Sequence, residues 1–491
     1  MDPVDVLILG AGLSGIGAAC HLETDRPGTS YAIVEARAQM GGTWDLFRYP
    51  GVRSDSDMFT LGYSFEPWLE AEAIADGPSI LSYIRSTART RGVEDKIAYR
   101  RRAVAASWST ADARWTVEIE HTDTGEREQV TCGFLWANTG YYRYDEGHRP
   151  TWTGEERFEG RIVHPQHWPE DLDYAGKRVV VIGSGATAVT IVPAMAEQAA
   201  HVTMLQRSPT YVVSRPGTDV VADTVRRYLP ARAAHGAIRW KNVLLTHLSF
   251  QLSRRHPEFV KKGIRRGVVE ALPEGYDVDT HFRPRYNPWE QRLCLVPDGD
   301  LFGAISAGRA DVVTDSIDTF TETGIRLASG AELEADVIVT ATGLNLQFLG
   351  GITLAVDGAP VVPGDAVVYK GMMLCGVPNM AQTFGYTNAS WTLKADLTAE
   401  YVCRLLDTMD ACGMRQCTPG APDPSLPTEP FLDFSSGYVL RASGDLPRQG
   451  TTAPWRLHQN YLRDTWLLRH GPVTDGMVLS NPVPAGATSP A

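Results

Sequence analysis

Val4-Asp5-Val6-Leu7-Ile8-Leu9-Gly10-Ala11-Gly12-Leu13-Ser14-Gly15 decides the fold. The run from Val4 to Leu9 is apolar without alternation, as a strand covered on both faces of a parallel sheet must be. Gly10, Gly12 and Gly15 then stand in GxGxxG spacing, and an alanine-rich helix is expected over Gly15 to Leu22. Tyr31 to Glu35 reads as the second strand and closes a βαβ unit. The three glycines serve different ends. Gly10 permits the tight turn, Gly12 lets the backbone approach a pyrophosphate, and Gly15 lets helix and strand pack closely. The helix start offers unpaired N–H groups and the positive end of the helix dipole to phosphates, with the Ser14 hydroxyl beside them. Glu35 ends the second strand about twenty positions further on, where a carboxylate accepts hydrogen bonds from a ribose diol. A carboxylate repels a 2′-phosphate, so FAD or NAD fits here and NADP does not. Gly41-Gly42-Thr43-Trp44-Asp45 favours FAD, because two glycines let the chain pass close to a flavin and Trp44 can cover a ring.

The same grammar returns at Arg178. Arg178 to Ile182 is a strand, Gly183-Ser184-Gly185-Ala186-Thr187-Ala188 a GxGxxA turn, Val189 to Ala199 a helix and Val202 to Gln206 a strand. Alanine at the third glycine position is tolerated, because only helix–strand packing depends on it. After the second strand stand Arg207 and Ser208, with no carboxylate. A guanidinium there can grip a 2′-phosphate bidentately, so this turn, Gly183 to Val189 with Arg207 and Ser208, should take NADPH. Two nucleotide sites of opposite charge preference describe a flavoenzyme reduced by NADPH. The expected fold is α/β, with two doubly wound Rossmann-like dinucleotide-binding domains.

At 491 residues the chain exceeds one ordinary core. A split FAD domain is expected at 1–150 and 335–472, around an NADP domain at 151–334. Between Pro209 and Leu301 the pattern changes to a basic, helical insertion carrying Arg226, Arg227, Arg232, Arg239, Lys241, Arg254 and Arg255 among others. Asp336 to Gly343 reads as a buried strand ending in a glycine turn. Residues 473–491 read as a disordered tail. A net charge of −12 speaks against nucleic-acid binding. Seven scattered cysteines without a CxxC suggest neither a disulfide framework nor a metal site, and point to a reducing, cytoplasmic setting. No apolar run approaches the ~18 residues needed to span a bilayer.

Between the two units lies Phe158-Glu159-Gly160-Arg161-Ile162-Val163-His164-Pro165-Gln166-His167-Trp168-Pro169. This resembles the fingerprint of type I Baeyer–Villiger monooxygenases, FxGxxxHxxxW followed by Pro or Asp, with Phe158, Gly160, His164, Trp168 and Pro169 in every fixed position. Gly41 to Phe65, His164 to Arg207, Tyr286 to Phe302 and Gly385 to Leu397 are similar to the ethionamide-activating subgroup of that family. The resemblance implies that NADPH reduces FAD, that O2 adds at flavin C4a, and that the adduct inserts one oxygen atom into a ketone or oxidises a thioether. It implies Arg292 as the essential cation and Asp55 as the carboxylate that positions it; an anionic oxygen species needs a fixed cation in a dry pocket. By the same resemblance Thr43, Trp44, Asp45, Leu46 and Asp55 lie on the FAD side, the backbone at Ala103 meets the adenine, and Arg53 and Ser54 approach NADP. His164 and Trp168 fall in a linker that couples the domains, not among the reacting groups.

Rival readings meet specific obstacles. A flavin disulfide reductase needs a cysteine pair soon after the first turn, where Cys20 stands alone. A flavin N-hydroxylase lacks the Trp168-Pro169 ending. The basic insertion reads either as a solvated helical face or as a surface that touches an anionic membrane.

Overall fold

Val4–Leu9 lies between Tyr31–Glu35 and Arg127–Ala137, parallel to both, in a computed structural model that describes residues 1–291, 293–432, 434 and 436–482. Pairing runs Val6 to Tyr31 through Leu9 to Val34, so the strand's last residue meets the start of the glycine turn. Leu7, Ile8, Ile33 and Leu135 are fully buried; each such side chain contributes about 1.5–3 kcal/mol of burial. Beyond Arg127–Ala137 the sheet continues antiparallel through Arg114–His121 and Arg101–Ser109. It is completed by Ile97–Tyr99 at one edge, by Thr353–Val356 and Ala359–Val361 at the other, and by Met380–Gln382.

A second sheet has five parallel strands in the order Ala310–Thr314, His201–Gln206, Arg178–Ile182, Val337–Thr340 and Arg161–Val163. Helix Leu13–Asp25 follows the first glycine turn and helix Ala186–Met195 the second. The fold is therefore α/β with two Rossmann-like units.

Three sequence expectations need correction. The division at 335 falls one strand early: Val337–Thr340 pairs in parallel register with Arg178–Ile182, inside the second sheet, and the chain rejoins the first sheet only at Thr353. The insertion is not wholly helical, because Tyr211–Arg215 and Leu293–Pro297 close its base as a parallel two-stranded ribbon. Between them lie helices Val220–Tyr228, Ala231–Arg255, Pro257–Ala271 and Val278–His281. The tail does not start at 473, since Met477–Ser480 pairs antiparallel with Gln416–Pro419. Backbone hydrogen bonds and a buried Met477 hold that strand, which composition alone could not reveal. Residues 483–491 lie outside the described residues.

Helix Ala231–Arg255 is bound to the first unit by its inward face. Arg239, 7% exposed, donates to the carbonyls of Phe59 at 3.1 Å and Gly62 at 2.7 Å and to Asp396 at 3.2 Å. Asn242 donates to Asp57 at 3.0 Å, and Lys241 pairs with Asp219. Arg53 bridges to Asp300 at 2.5 Å, joining the first unit to helix Asp300–Ser306 of the second.

Candidate active site between the two glycine turns

Both glycine turns open onto one cavity of about 1220 Å3. That is larger than an ordinary single-ligand pocket of about 300–1,000 Å3. The first turn shows which glycines serve the fold and which leave room for something else. Gly10 has φ +97°, and a Cβ there would stand 2.7 Å from the Asn138 carbonyl oxygen. A Cβ on Gly15 would collide with the Gly10 carbonyl. Gly12 is different: its φ of −78° suits any residue, and the nearest atom to a Cβ would be Gly42 Cα at 3.5 Å. Packing alone does not require a glycine at 12, whereas a pyrophosphate passing through the cavity would. In the second turn Gly183 packs against the Ala341 carbonyl, while Gly185 has nothing within 4 Å of its Cβ position. The two turns share the pattern of a closed first glycine and an open middle one.

Glu35 is 5% exposed and lines the cavity. Its two oxygens accept from the backbone N–H of Ala11 at 2.7 Å and of Arg37 at 2.8 Å. Burial pushes its carboxyl above the usual range, against the pull of those donors. Each oxygen keeps a free lone pair, which suits a ribose diol. Ala103 lines the same region with Arg101 and Arg102. Ser14, Thr43 and Trp44 also line the cavity, and Ser14 Oγ accepts from Trp391 Nε1 at 2.7 Å. Trp391 stacks on Tyr141 at 5.1 Å and 12°, giving one wall of flat rings.

Asp45 and Leu46 are buried just behind this surface. The Asp45 carboxylate is held by Arg37 at 2.6 Å and Arg48 at 3.2 Å, so it braces the loop instead of facing the cavity. In the second turn Gly185, Ala186 and Thr187 reach the cavity. Ala188 and Val189 support the turn from the packed interior, and Gly183 closes against Ala341. Ser184 Oγ donates to the Ser208 carbonyl at 3.2 Å and lies 2.9 Å from Thr210 Oγ1, tying the turn to the loop after strand His201–Gln206. Arg207 and Ser208 are exposed there, outside the cavity wall, and Arg207 makes no ion pair among the described residues.

Arg53, Ser54 and Asp55 all line the cavity. Arg292 lies outside the described residues. Its chain neighbours Gln291 and Leu293 line the same cavity as Asp55.

The fingerprint segment stands behind this wall. Gln166 Nε2 donates to the carbonyls of Arg143 at 2.8 Å and Tyr144 at 2.9 Å, and His167 meets the Asp145 carbonyl at 3.1 Å. Strand Tyr142–Gly147 carries cavity-lining residues, so the segment clamps the wall without entering it. His164 Nδ1 accepts from the Gln166 N–H at 3.2 Å, and burial lowers its pKa, which favours the neutral ring that this bond requires.

Sequence reasoning missed the aromatic run Tyr141, Tyr142 and Tyr144. The hydroxyls of Tyr141 and Tyr142 lie 2.7 Å apart, and burial pushes Tyr144 up to about 12, so all three are neutral walls. The available signal was Asn138-Thr139-Gly140, a glycine turn after a buried strand, like Thr342-Gly343 in the second unit.

Two linked Rossmann-like units sharing one large cavity define a two-nucleotide oxidoreductase. The flavin-binding monooxygenase-like family matches residues 73–372, and an NAD(P)-binding Rossmann-like domain matches residues 8–70. The FAD-containing monooxygenase EthA of Mycobacterium tuberculosis (strain ATCC 25618 / H37Rv) is 55% identical over 475 residues, 96% of this chain and 97% of that protein. The EthA of Mycolicibacterium smegmatis is 54% identical over 472 residues, 96% of each chain. The chain belongs to the flavin-binding monooxygenase-like family. Among solved structures, an oxidized steroid monooxygenase bound to NADP matches with a TM-score of 0.75 at 21% identity, covering 98% of this chain and 100% of that one. An ε-caprolactone-bound cyclohexanone monooxygenase matches with a TM-score of 0.76 at 19% identity over the same shares.

Proposed function

We propose that the protein is an FAD-containing, NADPH-dependent monooxygenase that inserts one oxygen atom of O2 into ketones, giving esters or lactones, and also oxidises thioethers. The observation that carries this reading is the opening of both glycine turns, one with a terminal carboxylate and one followed by Arg207, onto the same cavity. The Gly12 gap, the Glu35 carboxylate and the Ser14–Trp391 wall fit a flavin dinucleotide. Gly185 to Thr187, with Ser184, Arg207 and Ser208 beside them, fit the phosphates of NADPH. The split flavin domain and the NADP domain follow the two sheets.

Bound FAD, reduced by NADPH, supplies the activated oxygen. The chain's own groups do the rest. Arg292 gives a fixed positive charge for negative charge on oxygen, and Asp55 positions that guanidinium. Tyr141, Trp391 and Tyr144 exclude water, which strengthens every charge interaction in the cavity. The Arg53–Asp300 bridge holds the two units in the register that brings both nucleotides to one place.

The reading is tested with Arg292→Ala. The variant should keep flavin and oxidise NADPH while losing oxygenated product by about two orders of magnitude or more, as for removal of a charge-stabilising donor. Full product yield from Arg292→Ala would remove the assigned role.

A further inference from the structure

Helix Ala231–Arg255 leaves an apolar stripe without a protein partner. Leu244, Leu248 and Leu252 repeat at i+4 spacing and are 44%, 62% and 42% exposed, with Leu245 at 58% on the same arc. The opposite arc holds Arg239 and Val243, which bind the body of the protein, so the helix cannot roll to hide the leucines. A purely solvated helix would carry charge here.

The surroundings of the stripe are basic. Residues 220–271 hold eleven Lys and Arg against three acids, in a chain whose net charge is −12. Arg227, Arg232, Arg254, Arg255 and Lys262 are exposed and make no ion pair among the described residues. Arg255 falls on the arc of the leucines.

The stripe also reaches the cavity. Leu245 lines it, as do Val220 and Val221, which are 73% and 54% exposed. The mouth therefore has an apolar rim that opens onto the apolar, basic face. None of the described helices is long and apolar enough to cross a membrane.

We propose that this face docks on an anionic lipid bilayer, with the leucines in the acyl boundary and the arginines at the headgroups, and that the cavity draws lipophilic substrates from the membrane through the rim at Val220, Val221 and Leu245. The charge pattern selects this occupant: a chain this acidic is repelled by an anionic surface everywhere except at a locally basic face. The substrate clause rests on the monooxygenase reading; the docking clause does not.

The holoenzyme is sedimented with phosphatidylcholine vesicles, with and without about 30% phosphatidylglycerol. It should pellet with the anionic vesicles at low salt and be released at about 0.5 M salt, where charge is screened. L248D/L252D, which replaces no cavity-lining residue, should lower partitioning at least about tenfold while keeping its flavin, melting temperature and turnover of a short, water-soluble ketone. R254Q/R255Q should lower partitioning by about 30-fold at most, because each headgroup cation contributes about 1 kcal/mol. With a long-chain methyl ketone held in the vesicles, L248D/L252D should lose turnover in step with partitioning.

Failure of the wild type to pellet at low salt would overturn the proposal, as would equal binding to neutral vesicles. If L248D/L252D instead dissolved an oligomer of this chain, with no vesicle binding by the wild type, the stripe would belong to a second copy and the proposal would fall. Vesicle binding without oxygenation of any ketone or thioether would leave docking in place and remove the substrate clause together with the monooxygenase reading.

Discussion

Replacing Arg207 with alanine should strip the protein of its preference for NADPH over NADH. Arg207 is exposed at the end of strand His201–Gln206 and has no ion-pair partner among the described residues, so it is available to a ligand at no internal cost. Its loop is fixed to the glycine turn by the bond from Ser184 to the Ser208 carbonyl at 3.2 Å. A bidentate grip on a 2′-phosphate comprises two charge-assisted hydrogen bonds, nominally about 1.5–3 kcal/mol each. Solvent screening at an exposed position reduces the pair to about 2 kcal/mol, which is a factor of about 30 in binding. Steady-state kinetics with each nucleotide reads this directly. KM for NADPH should rise about 30-fold, KM for NADH should stay within about twofold, and flavin content should not change. An NADPH KM within about threefold of wild type would refute the assignment of Arg207 to the 2′-phosphate.

The two glycines of the first turn should separate ligand binding from folding: Gly12→Ala, with its φ of −78° and open Cβ position, keeps stability within about 1 kcal/mol but purifies without flavin, whereas Gly15→Ala, which collides with the Gly10 carbonyl, lowers the melting temperature. Retention of flavin by Gly12→Ala, read by visible absorbance, would contradict the first half. Arg239→Met should cost about 3–5 kcal/mol in urea unfolding, because it leaves the Phe59 and Gly62 carbonyls unpaired and Asp396 buried with less compensation; a loss below about 1 kcal/mol would show that the anchor is not needed. Stability should also fall at alkaline pH through His21. Burial opposes its charged ring, but the hydrogen bond to Asp25 and the nearby Asp396 carboxylate outweigh it and raise the pKa from 6.5 to about 9. A raised folded-state pKa contributes stability that is full below pH 6.5 and is lost as pH climbs to about 9, here about 3 kcal/mol. Urea midpoints across that window should decline for wild type and stay flatter for His21→Asn; a wild-type midpoint that does not change would rule the switch out.

What the sequence disclosed was what is local. The two glycine turns and the strands beside them are set by residues a few positions apart: Gly10 and Gly183 take the positive φ that glycine allows, while Gly12 and Gly185 leave open Cβ positions. What depends on distant partners stayed hidden. Lys394 reads as one charge on a helix, yet it is 1% exposed and pairs with Asp464, 70 residues away, at 2.8 Å. Arg239 reads as part of a basic face, but its inward side meets the carbonyls after Phe59, which no periodicity in its own helix announces. Val337–Thr340 reads as a return to the first domain because a buried strand looks the same in either sheet; only its pairing with Arg178–Ile182 assigns it. The tyrosines after Gly140 became a cavity wall because Arg127–Ala137 runs parallel to Val4–Leu9 and delivers its end beside the first glycine turn.

Labelled dioxygen tests the central claim most directly. The flavin-loaded protein is given NADPH, 18O2 and a panel of ketones and thioethers, and both product mass and NADPH consumption are measured. One heavy oxygen atom should enter each ester, lactone or sulfoxide, with one NADPH oxidised per product. If NADPH is consumed, hydrogen peroxide accumulates and no acceptor in the panel gains the label, the protein is a flavin reductase or oxidase, and the roles given to Arg292 and Asp55 fail with it.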